Sequence, residues 1–277
     1  MRTEMAMGAF TKGIETVSKM GKELFMEFFK VYVIGMLFIL LGVGIAMVLG
    51  AYLATGSPWM ITAIAIAAGL FVMLIAAGIM TVPMNIVDEK ISRAPVLGMM
   101  GNMKRNMLPA IAFYLIMMVI VLVFGYAPLF VAMEMGGPAF IAGYIYYYAA
   151  VFALGFIFQF GLLELVIARS GVLGSFGKSF DTVKKSFWET LIYYIGLFGV
   201  SVAATIVLLI VALVLFLIPA ILGIVVAGAA NSQVLNIVLV ILGIIYGVVL
   251  YTAYGAGMQA VVLPIQYHYW KAAREVR

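Results

Sequence analysis

Six stretches of this chain are too long and too apolar for water to cover: residues 31–54, 59–87, 108–133, 139–168, 191–217 and 234–267. A helix needs about 20 mainly apolar residues to cross a hydrocarbon layer of roughly 30 Å, and every run reaches that length. The spans of a β-barrel would alternate in short segments instead. Only 10% of the residues are charged, against about a quarter in a soluble domain, so lipid has to serve as solvent. The sequence therefore predicts an all-α, polytopic membrane protein with six transmembrane helices in a single membrane domain over 1–277. The first apolar run begins after thirty residues and has no short h-region or cleavage site, so no signal peptide is expected.

Charge supplies the orientation. All 16 Lys and Arg residues fall on one side of the six-span map: in the N-terminal segment, the second-to-third and fourth-to-fifth connections, and the tail. The other side carries Glu134 and no basic residue. Cytoplasmic loops collect Lys and Arg, so both termini are expected in the cytoplasm, with the spans in the cytoplasmic membrane of the cell. The net charge of +5 is then an orientation signal and a contact for anionic headgroups, not a nucleic-acid footprint. With no cysteine in the chain, disulfides, thiolate metal sites and a thiol nucleophile are excluded.

The outer connections are short and rich in turn formers: 54–58 (ATGSP), 134–138 (EMGGP) and 227–233 (AGAANSQ). Trp59 and the run 143–148 (GYIYYY) suit an aromatic belt. Pro219 lies inside an apolar stretch that is overlong for one span, so the fifth span is expected to end or kink near Ile218, with 220–230 along the outer surface.

Residues 171–191 look soluble. Phe176, Phe180, Val183, Phe187 and Leu191 recur at helical spacing, while Lys178, Asp181, Lys185 and Glu189 fill much of the other side. That pattern predicts an interfacial helix on the cytoplasmic leaflet. The same pattern opens the chain, where Phe10, Ile14 and Val17 would form the buried face. Residues 7–23 match 173–189 at seven of seventeen positions without a gap, and 91–101 match 167–177 at six of eleven. Pro83, Lys90 and Arg93 match Pro264, Lys271 and Arg274, with Asn85 opposite Gln266. A unit is read three times, over about 1–93, 94–169 and 170–277. Each is an interfacial amphipathic helix, a span, an outer turn, a span and a basic exit. The middle copy's amphipathic piece is reduced to Met99, Met103 and Met107 around Asn102 and Lys104. Three parallel hairpins would share one orientation around an axis along the membrane normal.

The opening AF-x-KG-x-E-x-V-x-K at 9–19, the VLG connections at 96–98 and 172–174, and KRN at 104–106 carry a resemblance. The chain resembles prokaryotic, often archaeal, six-span membrane proteins grouped near the membrane domain of glycerophosphodiester phosphodiesterases. The catalytic domain of those enzymes has no counterpart in the sequence. The resemblance therefore implies fold and membrane location, not that activity.

An ionisable group deep in a membrane is usually functional, and the mid-span positions hold none. The inner-leaflet charges are Asp88, Glu89 and Glu164, with Arg93, Arg169 and Arg274 at the exits. They read as a gate or cation site, or as ion-paired neighbours within about a turn of one another. Asn85, Gln159, Gln259 and Gln266 are candidates for a polar path, or else interhelical bonds. The lone His268 is a conceivable general base or an interfacial side chain. No metal-ligand, phosphate-loop or nucleophile-elbow motif is present, and no metal or cofactor is expected. Small residues at 243–247 (GIIYG) and 65–69 (AIAAG) permit close helix approach within the chain or between subunits.

Three readings follow. The first is a non-enzymatic protein that binds lipid or another amphiphile, or scaffolds a complex; its partners would be anionic lipids, a second copy or another membrane protein. The second is a transporter or channel with a central pseudo-threefold path lined by Asn85, Gln159 and Gln259. The third is an inner-leaflet lipid-processing enzyme using Asp88, Glu164 and His268.

Overall fold

The computed structural model describes residues 2–53, 58–93, 98–230 and 233–275; side chains at 2–3, 46–53, 58–63, 65–66, 216–230, 233–241 and 244 lie outside the description, as do the turn 54–57 and Trp59's ring. Every described element is helical: α1 (Arg2–Leu53), α2 (Pro58–Ser92), α3 (Met99–Val121), a π-helical turn (Leu122–Tyr126), α4 (Ala127–Met135), α5 (Gly137–Phe158), α6 (Gly161–Val166), α7 (Val172–Lys185), α8 (Phe187–Ala230) and α9 (Gln233–Glu275). Six segments are long and apolar enough to cross a membrane: Glu4–Ile45, Ala67–Ser92, Met99–Met135, Gly137–Val166, Phe187–Leu215 and Ile245–Glu275.

Three expectations about helix ends need correcting. The N-terminal amphipathic stretch is not a separate helix, because α1 runs unbroken for 52 residues, about 78 Å at 1.5 Å per residue. No proline interrupts it, and Glu15–Lys19 (2.6 Å) and Glu27–Lys30 (3.0 Å) pair along its surface. Similarly, Met99, Met103 and Met107 belong to α3, and Met103 and Met107 press towards Gly78 of α2. Only α7 stands as an amphipathic helix of its own. Ser186 ends it: the Ser186 N–H (3.2 Å) and Oγ (2.8 Å) both donate back to Thr182 O, and Ser186 O accepts the first bond of α8 from Thr190 N–H (2.8 Å). The fifth span does not stop near Ile218 either; the α8 backbone stays helical through Pro219 to Ala230.

Glycine marks the closest approaches. A Cβ at Gly13 would sit 2.6 Å from Ile265 Cα, so α1 lies almost backbone to backbone on α9. Gly136 (φ +65°) and Gly137 (φ +55°) make the turn between α4 and α5, in a region glycine enters without steric cost. Gly243 and Gly247 meet nothing within 4 Å, so that small-residue face is open.

The helices converge at the basic end. Leu24, Phe28, Phe160, Leu163, Tyr267 and Tyr269 are sealed there. Further along the spans, Leu41 (61% exposed), Val131 (59%) and Ile210 (57%) face outwards. A chain in water would bury such residues; in a bilayer they are the lipid-facing surface.

Candidate functional site

The convergence is organised by four consecutive residues of α9, Tyr267-His268-Tyr269-Trp270. Successive helical side chains point about 100° apart, so four in a row sweep the whole circumference, and each reaches a different neighbour. Tyr267 Oη donates to Asp88 Oδ1 of α2 at 2.6 Å. His268 Nε2 meets Thr16 Oγ1 of α1 at 2.9 Å. Tyr269 Oη bonds Thr190 Oγ1 of α8 at 3.0 Å, and its ring stacks on Tyr193 with centroids 4.0 Å apart. Trp270 Nε1 donates to Glu164 Oε1 of α6 at 3.1 Å. Amphipathic aromatics suit this position because each ring fills the core while its polar atom is satisfied.

Both inner carboxylates sit at the end of a donor chain that starts on a lysine. Lys271 Nζ donates to Ser92 Oγ (3.3 Å), Ser92 bonds Tyr267 Oη, and Tyr267 donates to Asp88. Since the Tyr267 proton goes to Asp88, Ser92 is the donor in the middle link. In parallel, Lys178 Nζ donates to Ser170 Oγ (2.9 Å), which donates to Glu164 Oε2 (3.1 Å). Glu164 is wholly buried and also ion-paired with Arg274, Nε to Oε1 3.7 Å. The Arg274 guanidinium lies over the Trp270 ring at 5.0 Å, a cation–π contact that holds it against its acid. Glu164 is thus ion-paired with Arg274 of α9, whereas Asp88 is held by a hydrogen bond from Tyr267, and Lys90 is bound to Glu23 of α1. Arg93, just after α2, and Arg169, three residues past α6, share a positive φ of 54°.

His268 stands apart from both acids. It points to α1, whereas Tyr267 leads to Asp88 and Trp270 to Glu164. Thr16 donates its single hydroxyl proton to Lys12 O at 2.9 Å, so His268 Nε2 is the donor to Thr16 Oγ1. A recess of about 510 Å³ opens beside His268, with Lys12, Lys271 and Glu4 on its rim. Another of about 380 Å³ lies between the two carboxylate chains, lined by Asp88, Tyr267, Lys271 and Arg274. Among the described residues, no three His, Asp or Glu side chains gather as metal ligands.

Comparison of the chain with protein-family models, curated proteins and solved structures gives no match. The geometry is therefore the guide to function.

The polar amides each have their own attachments. Asn85 Nδ2 donates to Thr81 O (3.0 Å) and its Oδ1 accepts from Arg105 Nη2 (3.2 Å). Gln259 Nε2 meets Met80 Sδ at 3.8 Å. Gln159 and Gln266 do come together, for a backbone reason. The helix breaks between α5 and α6, freeing the carbonyl of Gln159, and Gln266 Nε2 donates to it at 2.7 Å. Freed backbone groups inside a membrane protein must find such a partner.

The residues predicted for an interfacial face divide. On α7, Phe176 and Val183 turn inwards, Phe176 stacking on Phe113 at 4.4 Å. Phe180 (47%) and, at the start of α8, Phe187 (45%) are exposed. Of the α1 set, Phe10 and Val17 are half-buried and Ile14 is exposed. The helix α7 consequently has three sectors. One packs on the bundle through Phe176, Val183, Ser175, Ser179 and Thr182, with Ser179 Oγ donating to Ile157 O at 2.8 Å. The second is an exposed apolar edge of Leu173 and Phe180. The third is polar, with Lys178, Asp181, Lys184 and Lys185.

Proposed function

We propose that the chain is a non-enzymatic integral membrane protein that binds anionic lipid at its basic end. The observation that carries this reading is the three-sector surface of α7. Its apolar edge lies between the sector docked on the protein and the lysine edge, the order required of a helix at a lipid–water boundary. Lys184 and Lys185 are exposed on that edge, where each basic residue is worth about 1 kcal/mol against an anionic surface. The enzyme reading is weakened by the splaying of His268, Asp88 and Glu164 onto three different helices. A general base must come within hydrogen-bond reach of its proton, directly or through one water. The path reading is weakened by the separate attachments of Asn85, Gln259 and Gln159.

The finer architecture belongs to the same proposal. We infer three parallel hairpin repeats with both termini in the cytoplasm. The matching φ of Arg93 and Arg169 supports the repeat. So does the pairing of α2 with α9 at a constant separation of 179 residues: Met80 with Gln259, Asp88 with Tyr267, Ser92 with Lys271. The kinship with the membrane domain of glycerophosphodiester phosphodiesterases remains an inference from the sequence motifs.

The test is lipid retention. In nanodiscs of equimolar phosphatidylglycerol and phosphatidylcholine, the protein is expected to carry phosphatidylglycerol preferentially into native mass spectrometry. K184Q/K185Q should weaken that preference by up to about thirtyfold, at roughly 1 kcal/mol per lysine. Equal retention of the two lipids by the unaltered protein would overturn the reading.

A further inference from the structure

The bundle has a second lipid-sized feature, away from the α9 network. Near its start α1 touches α8, where the Phe10 ring lies 3.4 Å from the position a Cβ on Gly196 would take. Beyond that contact a trough of about 560 Å³ opens between α1 and α8 over α9. Its volume falls within the roughly 300–1,000 Å³ of ligand sites. Gly257 and Ala260 of α9 form a buried floor, Gly21 and Ala204 keep the sides low, and Val207 rises at the far end. The trough is not slack packing. A Cβ on Gly257 would already touch Leu208 at 3.2 Å, while one on Gly21 would meet only Val17 of its own helix, at 3.5 Å.

Lys22 gives the trough a chemical direction. The other charges nearby are matched: Lys19 with Glu15, Lys30 with Glu27, and Glu23 with Lys90 of α2. Lys22 lies on the trough's wall, is exposed, and has no ion-pair partner among the described residues. Its neighbour Glu23 is tied to the basic end of α2, whereas Val207 lies well inside the apolar run of α8.

We propose that this trough seats one hydrocarbon chain of an anionic lipid whose headgroup phosphate pairs with Lys22. A zwitterionic lipid such as phosphatidylcholine would satisfy the walls, but its own choline ammonium offsets its phosphate and answers Lys22 less well, and a second protein copy would have to supply a carboxylate to the same place. The proposal rests on the lipid-binding reading above and makes it specific to one site.

Four single variants test it in the same equimolar nanodiscs, with native mass spectrometry reading the lipid bound per protein. Ala204→Phe fills the trough; Val202→Phe adds the same ring to an exposed position of α8 outside it. Lys22→Gln removes the free charge; Lys19→Gln removes one that is already paired. The unaltered protein, V202F and K19Q should each keep one phosphatidylglycerol. A204F should lose it, with a melting temperature matching V202F, and K22Q should retain it about fivefold less, the worth of one basic residue near an anionic surface. Unchanged retention in A204F would overturn the site. So would equal binding of phosphatidylcholine that K22Q does not alter, or a dimer mass that A204F abolishes. If A204F keeps the preference and K184Q/K185Q loses it, the trough falls and the α7 reading stands. If the unaltered protein shows no preference, both fall.

Discussion

At the scale of single residues, the basic end is held by polar side chains that bond specific partners on neighbouring helices. Glu164 is the extreme case: wholly buried, it accepts from Trp270 Nε1 and Ser170 Oγ and faces Arg274. Deleting it strands a buried indole N–H, and an unsatisfied buried donor costs about 1–3 kcal/mol. Interhelical bonds in membrane proteins average only about 0.6 kcal/mol in double-mutant cycles, so the larger loss must come from desolvation, not from the bond itself. Glu164→Ala is therefore expected to lower stability by about 2 kcal/mol in thermal unfolding in mild detergent. Glu164→Gln, which keeps an acceptor oxygen, should lose less than half of that. Equal losses would mean that packing, not hydrogen bonding, dominates at this position.

At the scale of elements, α7 separates what periodicity merges. Phe176 and Phe180 share one apolar stripe in the sequence, yet Phe176 is 9% exposed and stacked on Phe113 while Phe180 is 47% exposed. Phe176→Ala should cost about 3 kcal/mol of stability, the low end for a buried aromatic truncation. Phe180→Ala should leave the melting temperature within a degree or two and instead weaken the retention of phosphatidylglycerol in nanodiscs. The stripe alone could not assign these roles, because a helix of 3.6 residues per turn spreads four apolar positions over more than one neighbour. The six apolar spans were legible because length and hydropathy leave no other solvent for them. The continuity of α1 was less so: the switch from amphipathic to uniformly apolar after Lys30 looks like an element boundary, but no residue there stops a helix. Ser186 does stop one, and the S-x-x-E spacing to Glu189 was the available signal for it. The role of 267–270 went unread because four adjacent polar-tipped rings resemble an interfacial belt until neighbours are known on every side. Asp88 and Glu164 find their partners on α9 and at Ser170 before α7, and the contacts from α9 are long-range facts that local spacing does not encode.

At the scale of the whole molecule, packing is concentrated where the charges are. The ends of α1 and α9 lie side by side, since Glu4 and Glu275 line the same recess, so N- and C-terminal ends share one face of the bundle. The Lys/Arg bias that sets orientation predicts that this face is cytoplasmic, with Glu134 the one charged residue of the opposite side in the six-span map. The absence of cysteine makes the assignment directly measurable, because any introduced thiol is the only one in the protein. Glu134→Cys and Lys184→Cys, at exposed positions on opposite sides, are expected to label differently in intact cells. A membrane-impermeant maleimide should react with the first at once and with the second only after permeabilisation. The reverse pattern would invert the molecule and place its lysine-edged helix on the outer leaflet. The lipid-retention results would keep their meaning, but the leaflet supplying the anionic lipid would change. Labelling of both thiols in intact cells would break the six-span map, because a single crossing, the fourth span, separates residue 134 from residue 184 in that map.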